Sequence, residues 1–520
     1  MRKMPENMKT LEKTKKNALL GGGKEKIKKH HAKGKLTARE RITAILDPGS
    51  LHELCLLAGH KVGAPGDGVI AGFGTIDKRP LCIFSQDATV LGGSVGFLHG
   101  KKIYDTIKRA MEMRVPCIGL WDSPGGRAMK IDDPNDRDSL MEGNEEGGHS
   151  IHFPVVQASG IIPQISVIMG SCAGNSVYCP ALTDFIFMID KTSHMFVTGP
   201  RIVESVLGER ISTEELGGAD VHSKITGLCD FRAKNEKECL KLVKRLFSYL
   251  PSNCNEPPPK IESREPQTAG SGLIDIVPQN QKNVYDMEEV IHRIVDGSEY
   301  LKIKDEFARE MITAFARLDG HVVGIVANQP KFKGGSLTAD GSVKEARFIR
   351  LCDSFRIPLI FLVDTPAFLP GRDQEHSGVI NHGAKAVYAL CEATVGRIVV
   401  VLRKVYGGGT LGMGFSPGLG TDFVFVWPTA ELGIMGAEQS VELFYGPKIS
   451  ESENPEKLRS QLINEYKRAY SDPLSVASTS SHIDDVINPA DTRQHLINAL
   501  RLMRKKKRMR PETGHGNIPL

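Results

Sequence analysis

Two stretches of the sequence repeat one another: FGTIDKRPLCIFSQDATVLGGS at residues 73–94 and FARLDGHVVGIVANQPKFKGGS at residues 315–336. The second copy begins 242 positions after the first, and the same offset aligns Asp122 with Asp364 further along the chain. A register kept over so many residues is the mark of an internal duplication. The sequence therefore predicts two versions of one domain.

Each copy shows the same order of elements. A hairpin-like pair of short strands comes first, then a helix near residues 100–113 or 342–355, then an apolar strand, PCIGLWD at 116–122 or PLIFLVD at 358–364. Strands that alternate with helices predict an α/β fold with parallel strands and right-handed crossovers.

The chain length and one polar segment suggest where the copies meet. A chain of 520 residues is too long for one hydrophobic core. Residues 251–272 are rich in proline, serine and polar side chains, as linkers are. We predict an N-terminal domain at residues 1–255, a linker at 256–272 and a C-terminal domain at 273–520.

Composition argues against several classes of protein. No apolar run is long enough to span a bilayer, and the first residues lack the apolar core of a secretory signal. The ten cysteines are scattered without a C-x-x-C pair, so we expect reduced thiols, a cytoplasmic location and no bound metal. The basic ends of the chain lack interleaved aromatic residues, and we expect no nucleic-acid partner.

Both copies place glycines directly after a buried strand. ISVIM runs into GSCAGN at residues 170–175, and IVVVL runs into RKVYGGG at residues 403–409. The first turn imitates a nucleophile elbow with Cys172 as the nucleophile. The aligned residue of the second copy is Val405, so the shared feature is glycine backbone, and Cys172 is better explained as a small packing residue.

A dinucleotide fingerprint is the second interpretation of these turns. Gly407, Gly409 and Gly412 fit the G-x-G-x-x-G spacing after a strand. The fingerprint requires a long helix next, and only about ten residues separate Gly412 from the next predicted strand at Asp422. The sequence therefore argues against a Rossmann site.

An oxyanion hole is the third interpretation. A turn from a strand end into a helix leaves backbone N–H groups aimed at one spot, and glycine allows a substrate to approach that backbone closely. Such donors stabilise negative charge on a carbonyl oxygen. Two copies predict two such holes, as suits transfer of a group between two enolisable carbonyl compounds.

The chain also resembles a known family along its whole length. The motifs that carry the resemblance occur in the family's order. They are GGGKEKIKKHHAKGKLTARERITAILDPGS (21–50), FSQDATVLGGS, GIIPQISVIMGSCAGNSVYCPALTDF, TGPRIVESVLGE, ISTEELGGADVH, VGIVANQPK, INHGAKAVYALCEATV, LRKVYGGG, WPTAELGIMGAEQSVE and HGNIPL. The sequence is similar to the carboxyltransferase (β) subunit of biotin-dependent acyl-CoA carboxylases and to the α subunit of methylmalonyl-CoA decarboxylases.

The resemblance implies a fold and an activity. Each half would have the crotonase-like (ClpP/crotonase) fold, and six chains would form a homohexamer. The N-terminal half would bind acyl-CoA, and the C-terminal half would bind biotin carried by a biotin carboxylase or biotin carrier partner. The enzyme would move a carboxyl group between biotin and the α-carbon of an acyl-CoA, with propionyl-CoA and methylmalonyl-CoA as the expected pair.

The resemblance also implies site residues. The amides of Gly174 and Asn175 would hold the thioester enolate, and those of Gly408 and Gly409 would hold the ureido oxygen of biotin. The acyl-CoA side would include Arg127, Ser171, Cys172, Ala173 and Tyr178. Arg127 and Lys102 would either contact the CoA phosphates or be exposed, solvated charges. The biotin pocket would be lined by Thr410, Leu411 and Phe368.

Two departures from the family pattern stand in the site. Asn175 replaces a glycine, and Thr410-Leu411 replaces an aromatic residue and an acid. The resemblance therefore does not imply which acyl group the enzyme accepts. Lys130 stands in AMKI, which imitates a biotin-acceptor motif, but its surroundings leave no room for a biotinyl module and we expect it to be unmodified. The alternative function is that of a crotonase-type hydratase or thioester hydrolase.

Overall fold

The computed structural model describes residues 6–60, 63–127, 150–268, 270, 272–506 and 517–519. The chain divides into two compact units, Met1–Glu256 and Pro257–Leu520. Lys130 lies outside the described residues. No helix in the described ranges combines the length and the apolar character needed to cross a bilayer.

The first unit contains eight strands and ten α-helices within the described residues. The strands are β1 His52–Leu54, β2 Val69–Ile76, β3 Arg79–Gln86, β4 Cys117–Ser123, β5 Gln164–Ala173, β6 Phe185–Ile189, β7 His194–Phe196 and β8 Phe231–Ala233. The helices are α1 Glu6–Ala18, α2 Lys24–His31, α3 Ala38–Ile45, α4 Phe97–Met113, α5 His152–Ala158, α6 Tyr178–Ala181, α7 Pro200–Leu207, α8 Thr213–Gly217, α9 Ala219–Lys224 and α10 Glu236–Phe247.

The second unit has the same number of strands and of helices within its described residues. The strands are β9 Tyr300–Ile303, β10 Met311–Leu318, β11 His321–Asn328, β12 Leu359–Thr365, β13 Arg397–Tyr406, β14 Phe423–Val426, β15 Glu431–Gly433 and β16 Asp485–Val486. The helices are α11 Leu273–Ile276, α12 Met287–Ile294, α13 Ala339–Ser354, α14 Arg372–His376, α15 Val379–Glu392, α16 Gly408–Gly412, α17 Ala437–Ser450, α18 Pro455–Tyr466, α19 Pro473–Thr479 and α20 Thr492–Met503.

The two sheets have one topology. Their strand orders are β1-β2-β3-β4-β5-β6-β8 and β9-β10-β11-β12-β13-β14-β16, and β7 and β15 branch from β5 and β13. In each sheet the first three strands are antiparallel and every later pairing is parallel. Each unit has its own apolar core. The prediction of a duplicated α/β domain is confirmed.

The second glycine of the pair near the end of each repeated stretch is required by a close approach between chain segments. A Cβ atom on Gly93 would lie 2.4 Å from the carbonyl oxygen of Asp122, and one on Gly335 would lie 2.5 Å from that of Asp364. Both distances are well inside van der Waals contact, so no larger residue fits without moving a central strand. Both copies therefore need a glycine at this position, because the loop after β3 or β11 packs tightly against β4 or β12.

The register of the central strands breaks at the same place in both units. On β4 and β5, Trp121 pairs with Ile168, but Ser123 pairs with Cys172, so two extra residues of β5 are accommodated. On β12 and β13 the corresponding pairs are Val363 with Val401 and Thr365 with Val405. Extra residues of this kind bend a strand and redirect its end. The break leaves one aspartate in each unit, Asp122 or Asp364, between the two registers.

A buried acid in helix α13 gives the fold a testable pH dependence. Glu345 is fully buried, and both its carboxyl oxygens lack a hydrogen-bond partner. Burial raises the pKa of this carboxyl well above its ordinary value of 4.5. The folded chain therefore holds a proton that the unfolded chain releases, so this group makes the fold less stable as the pH rises above the unfolded pKa.

We predict that Glu345→Gln removes this loss. The unfolding temperature of the variant, relative to that of the wild type at the same pH, should increase by about 3 °C or more as the pH is raised from about 5.5 to about 8.5. Calorimetry measures both temperatures. Asp340→Asn, at an exposed acid of the same helix, should show no such gain. An equal gain for both variants would contradict the assignment.

Candidate functional site

The first glycine turn presents two backbone amides that donate to no other part of the chain that the structure describes. Strand β5 ends at Ala173, Gly174 has a φ of +67°, and a 3₁₀ turn runs from Gly174 to Val177. The first N–H groups of such a turn have no acceptor inside it. Within the described residues, the amides of Gly174 and Asn175 donate no hydrogen bond. Two adjacent donors are thus free for a ligand.

A cleft of about 380 Å³ opens beside these amides. Its wall includes Asn175, Ser176 and Gly126, and the amino end of helix α5 contributes His152. The Nε2–H of His152 donates to the carbonyl oxygen of Asn175 at 3.2 Å, and the Ser150 hydroxyl donates to Nδ1 at 2.8 Å. These contacts hold the carbonyl group of Asn175, which belongs to the peptide bond that follows its N–H.

The second turn has the same form but is displaced by one residue. Gly407, which aligns with Gly174, has a φ of +46°, and its N–H donates to the carbonyl oxygen of Gly433 at 3.0 Å. Helix α16 then begins at Gly408. The amides of Gly408 and Gly409 donate no hydrogen bond within the described residues. The free pair of the second unit therefore starts one residue later than that of the first.

The predicted biotin-side residues lie around the second turn. The ring of Phe368 covers Gly408 so closely that a Cβ atom there would lie 2.9 Å from the ring. The Thr410 hydroxyl donates to the carbonyl oxygen of Gly407 at 2.7 Å. Leu411 is 43% exposed. The second turn thus combines two free donors with an aromatic ring.

A cluster of buried charges lies beside the first turn. The Asp122 carboxylate accepts from Lys35 Nζ at 2.7 Å and from Arg41 Nη1 at 2.9 Å. The same guanidinium reaches Glu236 at 2.7 Å and the carbonyl oxygen of Met169 at 3.3 Å. Burial lowers the pKa of Lys35, and Asp122 opposes that shift. Two carboxylates and two cations thus hold the strand where its register breaks.

The second unit has the corresponding cluster but supplies its cations differently. Arg403 Nε donates to Asp364 Oδ2 at 2.9 Å, and the Lys404 amide donates to Oδ1 at 3.2 Å. Both residues belong to strand β13. The backbone N–H of the aspartate has the same kind of partner in both units. That of Asp122 donates to the side-chain oxygen of Gln86, and that of Asp364 donates to the side-chain oxygen of Asn328.

The predicted residues of the first turn fall into two groups. Ser171 and Tyr178 are exposed and Ala173 is half-buried, so these three lie at the surface that carries the free amides. Cys172 is 1% exposed and packs in the core of the first unit, and burial raises the pKa of its thiol. The thiol is unavailable as a nucleophile.

The two cations suggested for the CoA phosphates are engaged within the protein. Arg127 donates to Asp67 Oδ1 at 2.8 Å and to the carbonyl oxygen of Ser94 at 3.1 Å. Lys102 is 6% exposed, and its amine donates to the carbonyl oxygen of Gly66 at 3.0 Å. For Lys102 the expectation of a phosphate contact is wrong, because burial and backbone acceptors hold the amine.

Sequence reasoning missed the residues that support the turns. Lys35 and Arg41 reach an aspartate 87 and 81 positions away, and no local pattern signals such a pair. His152 was also missed, since a lone histidine before an apolar helix carries no motif. Within the described residues no group of histidine, cysteine and acidic side chains is arranged to hold a metal ion.

Comparisons with known proteins identify the family of this chain. A model of the carboxyl transferase domain matches residues 29–518. The carboxyltransferase subunit of propionyl-CoA carboxylase from Haloferax mediterranei is 43% identical, over 99% of this chain and 100% of that protein. Methylmalonyl-CoA decarboxylase subunit alpha from Veillonella parvula is 42% identical, over 96% of each chain.

A solved structure extends the likeness to the whole backbone. The transcarboxylase 12S hexamer, crystallised with methylmalonyl-CoA and methylmalonic acid, matches with a TM-score of 0.92 and 41% identity, over 100% of this chain and 99% of that one. Sequence, family model and fold therefore agree, and this chain belongs to the carboxyl transferase family.

Proposed function

We propose that the protein transfers a carboxyl group between biotin, carried by a partner protein, and the α-carbon of an acyl-CoA, with propionyl-CoA and methylmalonyl-CoA as the substrate pair. The observation that carries this proposal is that the corresponding glycine turn of each half has a pair of backbone amides that donate no hydrogen bond within the described residues. An enzyme that must stabilise negative charge on an oxygen atom of each of two substrates needs two such pairs.

The first turn is suited to a thioester. A carbonyl oxygen that accepts from Gly174 and Asn175 would gain negative charge as the α-proton leaves, and two fixed donors lower the energy of that enolate. The adjoining cleft of about 380 Å³ has room for a short acyl group. The related transcarboxylase was crystallised with methylmalonyl-CoA, a short branched acyl-CoA.

The second turn is suited to the ureido group of biotin. The N–H groups of Gly408 and Gly409 match an oxygen acceptor, and the Phe368 ring offers an apolar surface for a bicyclic group. When bound, biotin would supply or accept the carboxyl group. The role of this chain is to hold and orient the ureido oxygen, and no side chain of the second turn is placed as a general base.

The assembly and the partner belong to the same proposal. Transcarboxylase 12S is described as a hexamer, and we propose that this chain forms one too. The biotin would arrive on a biotin carrier or biotin carboxylase partner. All ten cysteines are free, which agrees with a reducing cytoplasm. Relatives named as carboxylase and as decarboxylase leave both directions of transfer open to this site.

The alternative of a hydratase or a thioester hydrolase is not favoured. Such an enzyme would use Cys172 or an acidic side chain, and the Cys172 thiol is buried with a raised pKa, which argues against the first of these. Family membership also points to carboxyl transfer.

We predict that the purified chain converts methylmalonyl-CoA and free biotin into propionyl-CoA and carboxylated biotin. Formation of propionyl-CoA, followed by chromatography, should depend on the biotin concentration. Cys172→Ala should retain this activity within about twofold, since the thiol packs in the core. Loss of the CoA thioester at the same rate without biotin, abolished in Cys172→Ala, would instead show a hydrolase.

A second prediction concerns the first pair of amides. Nothing lies within 4 Å of the position that a Cβ atom on Gly174 would occupy, so Gly174→Ala would place a methyl group where the thioester approaches. We expect kcat for the biotin-dependent reaction to fall by roughly 10²-fold, the scale for a lost oxyanion donor.

Gly49→Ala is the matched control for this variant. Gly49 also has a positive φ, +74°, and an unobstructed Cβ position, but it lies in an exposed turn before β1. Both variants pay a similar strain of roughly 1–2 kcal/mol. An equal fall of kcat in both variants would mean that strain, and not access to the amides, limits Gly174→Ala.

A further inference from the structure

The amino-terminal segment, residues 24–45, is attached to the first unit through its charged side chains and the apolar face of α3. Helix α2 has no buried residue, and a cavity of about 470 Å³ lies against this region, lined in part by Leu20, Ile27 and Thr37. Besides helix α3, the segment is held by Lys35 on Asp122 and by the Leu36 amide on Glu236. We propose that Lys35 is a positioning residue, which sets the geometry of the Gly174 and Asn175 amides by holding Asp122.

A comparison of the two halves supports this role. In the second unit the strand provides its own cation, because Arg403 lies on β13 and pairs with Asp364 at 2.9 Å. The aligned residue of the first unit is Gly170. A Cβ atom there would lie 1.9 Å from Asp122 Oδ1 and 2.6 Å from Lys35 Nζ. The Lys35 amine therefore occupies the space that an arginine side chain at position 170 would need.

The contacts run from Lys35 to the turn in a short series. Asp122 lies between the two registers of β4 and β5, directly beside the extra residues of β5. Arg41 fixes the same stretch by donating to the carbonyl oxygen of Met169. Gly174 follows Gly170 by four residues of extended chain. A shift of the strand at the register break would therefore be passed along β5 to the amides of the turn.

Charge balance explains why the lysine matters. Asp122 and Glu236 carry two negative charges, which Lys35 and Arg41 neutralise. Removing the amine leaves one carboxylate in excess in a buried site, and an uncompensated buried charge forces its surroundings to rearrange. The Lys35 side chain is 17% exposed, whereas that of Arg41 is 1% exposed. Lys35 can therefore be replaced with less damage to packing than Arg41.

The test uses the full chain in the biotin-dependent assay with methylmalonyl-CoA, and it rests on the proposed function. Lys35→Met keeps the length of the side chain and removes its charge. We expect kcat to fall about tenfold to a hundredfold, the scale for a slight misplacement of catalytic groups. The KM for methylmalonyl-CoA should rise and the KM for free biotin should stay within about twofold, because the second turn has its own cation.

Two further variants decide the outcome. Lys35→Arg, which restores a cation, should recover most of the lost kcat, and Lys33→Met, at an exposed lysine of the same segment, should match the wild type. The proposal is overturned if Lys35→Met changes both KM values alike, if it matches Lys33→Met, or if it abolishes the cooperative unfolding transition. A wild-type chain without biotin-dependent turnover would instead refute the proposed function.

Discussion

In each half of this chain one buried aspartate, held by cations, fixes the place where the register of two parallel strands breaks. Asp122 is held by Lys35 and Arg41, and Asp364 by Arg403. A buried ion pair of this kind is costly to break, about 3–5 kcal/mol when one partner is lost. Because the strand that bears the extra residues leads into the glycine turn, this pair determines where the free amides point. The rest of the site is built on those amides.

The two halves solve the same structural problem with different residues. The second unit takes its cation from the strand itself, while the first takes two cations from its amino-terminal segment. Their turns differ too, since Gly407 donates to Gly433 and so shifts the free pair to Gly408 and Gly409. One turn borders a cleft whose wall includes His152, and the other lies against the ring of Phe368. A duplicated scaffold thus places similar donors in two chemically different surroundings.

The sequence predicts the fold well because its signals are local and occur twice. The helix expected near residues 100–113 spans Phe97–Met113, and the strand expected at 358–364 spans Leu359–Thr365. The glycine turns were also found, since they follow apolar strands. The supporting cations of the first unit were not predicted, because Lys35 and Arg41 pair with a residue about eighty positions away. Lys102 was misassigned for a related reason: a lysine that ends on backbone carbonyls looks, in the sequence, like one at the surface.

The most direct test of this account is a crystal structure of the chain with methylmalonyl-CoA and a biotin analogue bound. The account predicts that the thioester oxygen lies about 2.7–3.1 Å from the amide nitrogens of both Gly174 and Asn175, and that the ureido oxygen lies equally close to those of Gly408 and Gly409. Asp122 should still be held by Lys35 in that complex. A thioester oxygen bound elsewhere, with the Gly174 and Asn175 amides turned to protein acceptors, would contradict it.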